Sequence, residues 1–372
     1  MIILVVAILG ALIPTAGYVA LLWWIDRYEK EPVGLLAVAF LWGAGPAAAL
    51  SIVLEIAFAL PMSSLGPGSL VGRLLSASVS APIIEESAKG IALIFLLLIV
   101  PKAFDGILDG IVFGAMIGFG FAMTEDIVAY FVPILTKHGL GAGLINIFLR
   151  TVVFGFNHAF WTGVFGATVG YTRLVRSRKR RLAALTVGGL LAVLMHSLHN
   201  VGATMVERTV FLSLALSALL DWSGVVTLGV VIALDLRTER RWIERGLGEE
   251  VGRGALSPEE YELLYSARRR WRVHWRARRQ GGRVGARAVG SYFQTATRLA
   301  FSKQRLQTLG DEGGTVAEIE RLRLEMARRR AAAWPWLWPE QAYGAGGAET
   351  AGRGLTSGVD SATIDAPAID TE

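Results

Sequence analysis

Apolar residues along this chain come in seven long blocks, over about residues 2–25, 33–60, 74–100, 106–134, 142–172, 183–206 and 210–234, separated by short polar links. A bilayer crossing takes roughly 20 apolar residues in a helix, and each block reaches or exceeds that length. Short links make successive helices antiparallel neighbours. The pattern predicts an all-α fold: a polytopic helical membrane bundle of about seven spans over residues 1–234. In the fourth block Gly106, Gly110, Gly114 and Gly118 recur every fourth residue. That spacing puts a glycine stripe on one helix face, where another backbone can approach closely, and predicts a central place for this helix.

The pattern changes after Leu234. Residues 235–330 hold 22 Lys and Arg against 13 Asp and Glu. Ser257-Pro258-Glu259-Glu260 is a helix start, with Ser as cap, Pro in the first turn and acids at the positive end of the dipole. The helix it opens is expected to be Arg-rich toward its end, from Arg268 to Arg279, with Trp271 and Trp275 interleaved. A further helix is expected from Thr315 to Ala333. Residues 235–340 therefore read as a basic helical cytosolic tail, and 341–372, rich in Gly, Ala, Thr and Asp, as a disordered C-terminus. The basic-aromatic face is expected to lie on anionic lipid headgroups, with no nucleic acid as partner.

Composition agrees with the membrane reading. The chain of 372 residues is 53% hydrophobic with a mean hydropathy of +0.48, too apolar for a soluble protein of this size. It has no cysteine, which excludes disulfides and thiolate chemistry. The first 25 residues lack a basic leader and a small-residue cleavage site before Trp23-Trp24, so they read as a retained span. The links after blocks 1, 3 and 5 carry nine Lys and Arg, whereas the opposite links carry Arg73, Lys137 and Arg208 alone. Basic links face the cytosol. The expected protein is a multi-pass component of the cell membrane, N-terminus outside and C-terminus inside.

Against that background the informative residues are the polar ones inside the spans. Glu85, Glu86 and Lys89 interrupt the third block, and charges at membrane depth cost about 2.5–3.5 kcal/mol each on insertion scales. They must recover that by pairing, metal binding or chemistry. Lys89 lies three and four residues beyond the two carboxylates and can reach either. The later blocks add Phe121 and Glu125, Arg150, Asn157-His158, and His196, His199 and Asn200, while Glu55 and Asp221 stand isolated. Counting residues from the outer ends places Glu86, Glu125, His158 and His196 roughly 14–24 Å deep on four successive helices. Two imidazoles with one or two carboxylates form a zinc-type ligand set with a position open for water. The chemistry expected is hydrolysis, with Glu125, His158 and His196 as ligands of Zn2+ or another divalent metal. A neighbouring glutamate, Glu85 or Glu86, would take the proton and Asn200 would donate to the developing oxyanion. The same groups would also suit a proton-coupled transporter or channel, or serve as packing in a non-catalytic scaffold.

Four stretches carry a resemblance. Pro82-Ile83-Ile84-Glu85-Glu86-Ser87-Ala88-Lys89 resembles the E-E-x-x-K motif of the PrsW family of intramembrane proteases. Phe121-Ala122-Met123-Thr124-Glu125 resembles its F-x-x-x-E motif, and Arg150 with Phe156-Asn157-His158-Ala159 its third. His196-Ser197-Leu198-His199-Asn200 looks like an H-x-x-x-N ending. Asp26-Arg27-Tyr28-Glu29-Lys30-Glu31-Pro32 and Phe104-Asp105-Gly106-Ile107-Leu108-Asp109-Gly110 also look like family segments. The likeness covers about residues 20–205 and leaves the tail out. It implies an intramembrane endopeptidase related to prenyl-protein endopeptidases and bacteriocin-processing proteins, acting on a membrane-anchored protein such as an anti-sigma factor. It also implies Glu85 or Glu86 as base, His158 and His196 as ligands or orienters, and Asn200 as oxyanion donor. Glu125 stands where those endopeptidases carry His, so a metal-free glutamate mechanism is the alternative to zinc.

Overall fold

The computed structural model describes residues 1–62, 69–311 and 313–340. The expected disordered segment, 341–372, lies outside the described residues. Every regular element among those described is helical. Five stretches are long and apolar enough to cross a bilayer: Ile2–Ile25, Val33–Phe58, Ile107–Leu174, Arg178–Thr204 and Leu212–Gly252. The third block is helical as well, but Glu85, Glu86 and Lys89 place three charged residues inside it.

The membrane part runs from α1 (Ile2–Ile25) to α2 (Val33–Trp42) and, past a π-helical turn at Gly43–Ala47 that holds Pro46, into α3 (Ala48–Met62). Helix α4 (Leu70–Leu75) passes through a second π turn, Ser76–Ser80, into α5 (Ala81–Ile99). Helix α6 (Ile107–Glu125) continues through a π turn, Asp126–Phe131, into α7 (Val132–Phe148). At 1.5 Å per residue the 68-residue stretch 107–174 would span about 100 Å, three bilayer cores. It reverses instead at Gly139, whose φ of +81° suits glycine, and Leu135 packs against Gly143 across the turn. A fourth π turn, Leu149–Val153, leads toward α8 (Asn157–Tyr171), followed by α9 (Arg178–Thr204), the single turn α10 (Val206–Thr209) and α11 (Leu212–Gly252).

Helix α6 is the axis of the bundle, buried from Leu108 to Phe121 without interruption. Its glycine stripe meets small residues of α8 backbone to backbone. A Cβ on Gly110 would stand 1.9 Å from the Gly166 carbonyl oxygen, one on Gly114 2.5 Å from that of Thr162, and one on Gly118 2.3 Å from that of His158. On the opposite face Gly120 meets the Phe40 carbonyl oxygen at 2.0 Å in the same sense. No side chain fits in these seams, so van der Waals contact between backbones holds the helices. The contact of Gly118 with His158 sets the start of α8.

Helix α11 runs about 60 Å without a break, through residue 235 and out of the apolar part. The tail continues with α12 (Pro258–Tyr265), α13 (Ala267–Leu309) and α14 (Thr315–Leu337). Ser257 and Glu260 form the reciprocal cap expected of that start. The helix it opens is short, however. Ser266 is extended and its Oγ accepts from Arg269 N, so the Arg-rich stretch begins a new helix. The tail has its own apolar core around Ile243, Leu247, Tyr292, Leu299 and Leu322. It also grips the membrane part at the links after the first, third and fifth blocks. Arg270 donates to the Tyr28 carbonyl at 3.1 Å, Arg305 pairs with Asp105 at 2.7 Å, Lys102 with Glu318 at 2.8 Å, and Arg176 donates to the Thr308 carbonyl at 2.5 Å. These three links therefore lie on one side, with the tail.

Candidate active site

The π turn at Ser76–Ser80 and Pro82 in the first turn of α5 set the rotation of that helix, and π turns commonly adjoin functional sites. Glu85, Glu86 and Lys89 all face inward and are buried. Lys89 Nζ lies 2.5 Å from Glu86 Oε1 and 3.5 Å from Glu85 Oε2, and its ammonium rests 4.2 Å from the centre of the Phe121 ring. The cation and two carboxylates thus satisfy one another, as burial in an apolar bundle requires. Glu86 is further held by Thr162 Oγ1, which donates to Oε2 at 3.1 Å, and by His196 Nδ1 at 3.0 Å from Oε1.

Two tautomers follow. A carboxylate only accepts, so His196 carries its proton on Nδ1 and leaves the Nε2 lone pair free. That Nε2 faces Glu85 Oε2 at 4.0 Å. His158 Nδ1 lies 3.1 Å from the Lys89 ammonium and accepts from it, so its proton sits on Nε2, 3.0 Å from Glu125 Oε2. Glu125 is clamped in turn by Arg150 at 2.5 Å, and Arg150 also bonds Asp126 and lies over the Tyr130 ring. Trp161 stacks flat on His196, with ring centres 3.9 Å apart, and meets His158 edge-on at 4.9 Å. Both imidazoles are thereby fixed in orientation.

Glu85, Glu86, His158 and His196 each offer a ligand atom within 4.8 Å of the others. Glu125 touches this group through His158. The donor set fits a divalent metal. Glu85 Oε2 is buried without a hydrogen-bond partner, the His196 Nε2 lone pair faces it, and Glu86 holds His196 from behind as carboxylates do behind histidine ligands. Lys89 sits among the same atoms and would have to give up its bond to His158 Nδ1 for that nitrogen to serve as a ligand.

Beside the cluster a small cavity, open on one side, is walled by Glu125, His158, His196, Asn200, Tyr18 and Arg150 among others. Glu85 and Glu86 stand behind the two imidazoles. Asn200 lines the cavity, but one of its amide N–H groups donates to the Ala77 carbonyl at 2.7 Å, tying α9 to the π turn before α5. Sequence reasoning did not single out Thr162 or Trp161, which carry no charge and sit in an apolar block. It left Asp221 isolated. In the structure Asp221 is buried against His199 and Asn157.

Comparison with known proteins identifies the family. Residues 31–234, just over half of the chain, match the family described as PrsW family intramembrane metalloprotease. "Protease PrsW" of Bacillus subtilis (strain 168) is 27% identical over 201 residues, covering 54% of this chain and 84% of that protein. No solved structure matches. The matched region runs from the link before α2 into α11 and contains every side chain of the cluster, so this chain belongs to the PrsW family and is an intramembrane protease.

Proposed function

We propose that the protein hydrolyses a peptide bond of a membrane-anchored protein, with Glu85 as the base that takes a proton from the attacking water. The observation that carries this reading is the convergence of Glu85, Glu86, His158 and His196 into one buried group beside an open cavity. Among the described residues, Glu85 Oε2 is the carboxylate oxygen of this group that is buried without a hydrogen bond, held by the Lys89 charge at 3.5 Å alone. Glu86 is saturated by Lys89, His196 and Thr162 and serves to orient them. A divalent metal, Zn2+ being the one this donor set suits best, would be held by His158 and His196 beside Glu85, would lower the pKa of its water to about 7 and would polarise the scissile carbonyl. His158 keeps Glu125 and Arg150 in place at the cavity wall, and Trp161 excludes water from one face of His196. An anti-sigma factor is a substrate of the required kind, a single-span protein whose helix must unwind to be cut.

The same reading gives seven crossings in the cell membrane with the N-terminus outside, residues 1–234 as the protease domain and 235–340 as a cytosolic domain. Exposed Trp271 and Trp275, with the Arg279 guanidinium 3.6 Å from the Trp275 ring centre, support contact of that domain with anionic headgroups. The test is cleavage of a single-span reporter in proteoliposomes by the wild type, Glu85→Gln and His196→Ala, with metal content measured before and after chelation. Loss of cleavage in both variants, with the protein still folded, is expected. Full cleavage in both would overturn the reading. One equivalent of metal, removed together with activity, supports the metal-assisted form; activity in metal-free protein supports the glutamate-only form.

A further inference from the structure

Arg150 brings a permanent charge to the cavity wall. A guanidinium stays protonated in any protein setting, so its donors do not depend on pH. Within the membrane part such a charge demands partners, and it has them on two sides. Nη2 donates to Glu125 Oε2 at 2.5 Å, Nε donates to Asp126, and the guanidinium lies 3.6 Å from the centre of the Tyr130 ring. Arg150 stands in the π turn Leu149–Val153, whereas Asp126 and Tyr130 belong to the π turn Asp126–Phe131. The side chain thus ties together two irregular turns of the kind that commonly adjoin functional sites. These contacts fix the plane of the guanidinium, and the bond between Glu125 and His158 Nε2, at 3.0 Å, joins that plane to the cluster. Nη1 is left over. It makes no hydrogen bond among the described residues, and unlike the indole nitrogen of Trp161 it is not sealed in the interior. Its N–H groups remain uncommitted at the cavity wall.

We propose that Arg150 is a substrate-binding residue, whose Nη1 donates to a backbone carbonyl oxygen of the opened substrate segment next to the scissile bond. This rests on the proteolytic reading above. A substrate helix must unwind to be cut, and a carbonyl released inside the bilayer has no water to satisfy it, so the cavity must supply donors. Neighbouring donors are engaged. One amide hydrogen of Asn200 is on the Ala77 carbonyl, Asn157 Nδ2 is on Asp221, and the Tyr18 hydroxyl is on the Thr151 carbonyl. Charge balance selects a carbonyl as the ligand. One guanidinium faces two carboxylates, so an acidic substrate side chain would meet a surplus of negative charge, whereas a neutral carbonyl would not. A bond from a guanidinium is stronger than one from a neutral donor. The fork is also held in place before the substrate arrives, so little freedom is lost in using it. A carbonyl that flanks the cut is bound alike before and during hydrolysis, so the contact acts on KM rather than on kcat.

The experiment uses the full chain in proteoliposomes with semisynthetic single-span reporters. In each reporter one amide near the cut is replaced by an ester, which weakens the carbonyl as an acceptor. In the wild type one such ester is expected to raise KM about three- to tenfold. Arg150→Lys keeps the positive charge but has no fork with which to hold both carboxylates and a carbonyl. It is expected to raise KM for the all-amide reporter about tenfold or more, the range of a hydrogen bond to a charged group, with kcat within about threefold. On this variant the sensitive ester should add nothing, because the bond it weakens is already gone. A purely structural Arg150 would leave the ester effect at its wild-type size. Should Arg150→Lys fail to accumulate, Arg150→Gln combined with Asp126→Asn, which keeps the local net charge, takes its place in the same comparison. If no ester near the cut raises KM in the wild type, or if the ester effect is equal in wild type and variant, the role of Arg150 is refuted and the protease reading stands. If Glu85→Gln cleaves normally, the catalytic reading of the cluster fails instead.

Discussion

Lys89 Nζ lies 2.5 Å from Glu86 Oε1, with the Lys89 side chain fully buried and that of Glu86 almost so. The same ammonium reaches Glu85 and His158, so one cation on α5 organises both the carboxylate pair and the first imidazole. The pair is the electrostatic hinge of the site.

Removing only the cation should therefore unbalance the whole group. Lys89→Met leaves two buried carboxylates without compensation, and breaking one side of a buried pair typically costs about 3–5 kcal/mol. The expected result is a lower thermal midpoint in detergent and poor accumulation. Replacing both partners, as Lys89→Met with Glu86→Leu, should recover much of the stability and none of the cleavage. Equal stability of the single and double variants would contradict this account.

The two adjacent glutamates should separate by phenotype. Glu85→Gln removes the proposed base but leaves the Lys89–Glu86–His196 chain intact, so cleavage should fall by about 10²–10⁴-fold with little change in thermal midpoint. Glu86→Gln weakens the holds on Lys89 and His196 together and should lower both activity and stability. A shared profile for the two variants would show that their roles are not divided in this way.

The seam between α6 and α8 has no room for a side chain. Gly110→Val places Cβ 1.9 Å from the Gly166 carbonyl oxygen, and overpacking of this kind costs about 1–3 kcal/mol or more. Gly34, on α2, has nothing within 4 Å of an added Cβ, so Gly34→Ala should be neutral or stabilise by up to about 1 kcal/mol. Thermal midpoints of the two variants, measured side by side, check the contrast.

Acidic residues crowd the junction between the membrane part and the tail. Burial pushes the Asp26 carboxyl up to about 6, against a partial offset from Lys30. Burial, followed by the neighbouring carboxylates, pushes Glu31 up to about 11 and also raises Glu29, and burial raises Asp105 against a partial offset from Arg305 and Arg173. A carboxyl with a raised folded pKa contributes stability that is complete below its unfolded pKa and is lost as pH rises through the folded value. Stability should thus fall from about pH 4 to 6 as Asp26 ionises, by about 3 kcal/mol for a shift of roughly two units, and continue to fall toward alkaline pH. Asp26→Asn should flatten the decline between pH 4 and 6. Thermal midpoints across pH 4–9 provide the measurement.

Much of this protein is legible in one dimension because the causes are local. Apolar blocks read as membrane helices because a bilayer leaves the backbone few alternatives. The glycine stripe of α6 marked a close approach before its partner was known, and Ser257 and Glu260 announced a helix start because a cap involves four consecutive residues. The short extent of that helix was not visible, since Ser266 looks like any other serine until its backbone turns extended. The E-E-x-x-K spacing likewise put Lys89 within reach of both glutamates, because three- and four-residue intervals share a helix face.

Partnerships between distant segments are of another kind. Glu86 and His196 are 110 positions apart, and only the packing of α5, α8 and α9 makes them a bonded pair. The choice of His158 Nδ1 for Lys89 and of Nε2 for Glu125, the stacking of Trp161 on His196, and the engagement of Asn200 with Ala77 depend on helix rotation, which hydropathy does not encode. Asp221 shows the limit most plainly. In the chain it is an unexplained charge in an apolar run, and it acquires a meaning only when the fold sets His199 and Asn157 against it. Periodicity reports which face a residue occupies; what lies opposite that face is decided by contacts between segments that share no local order.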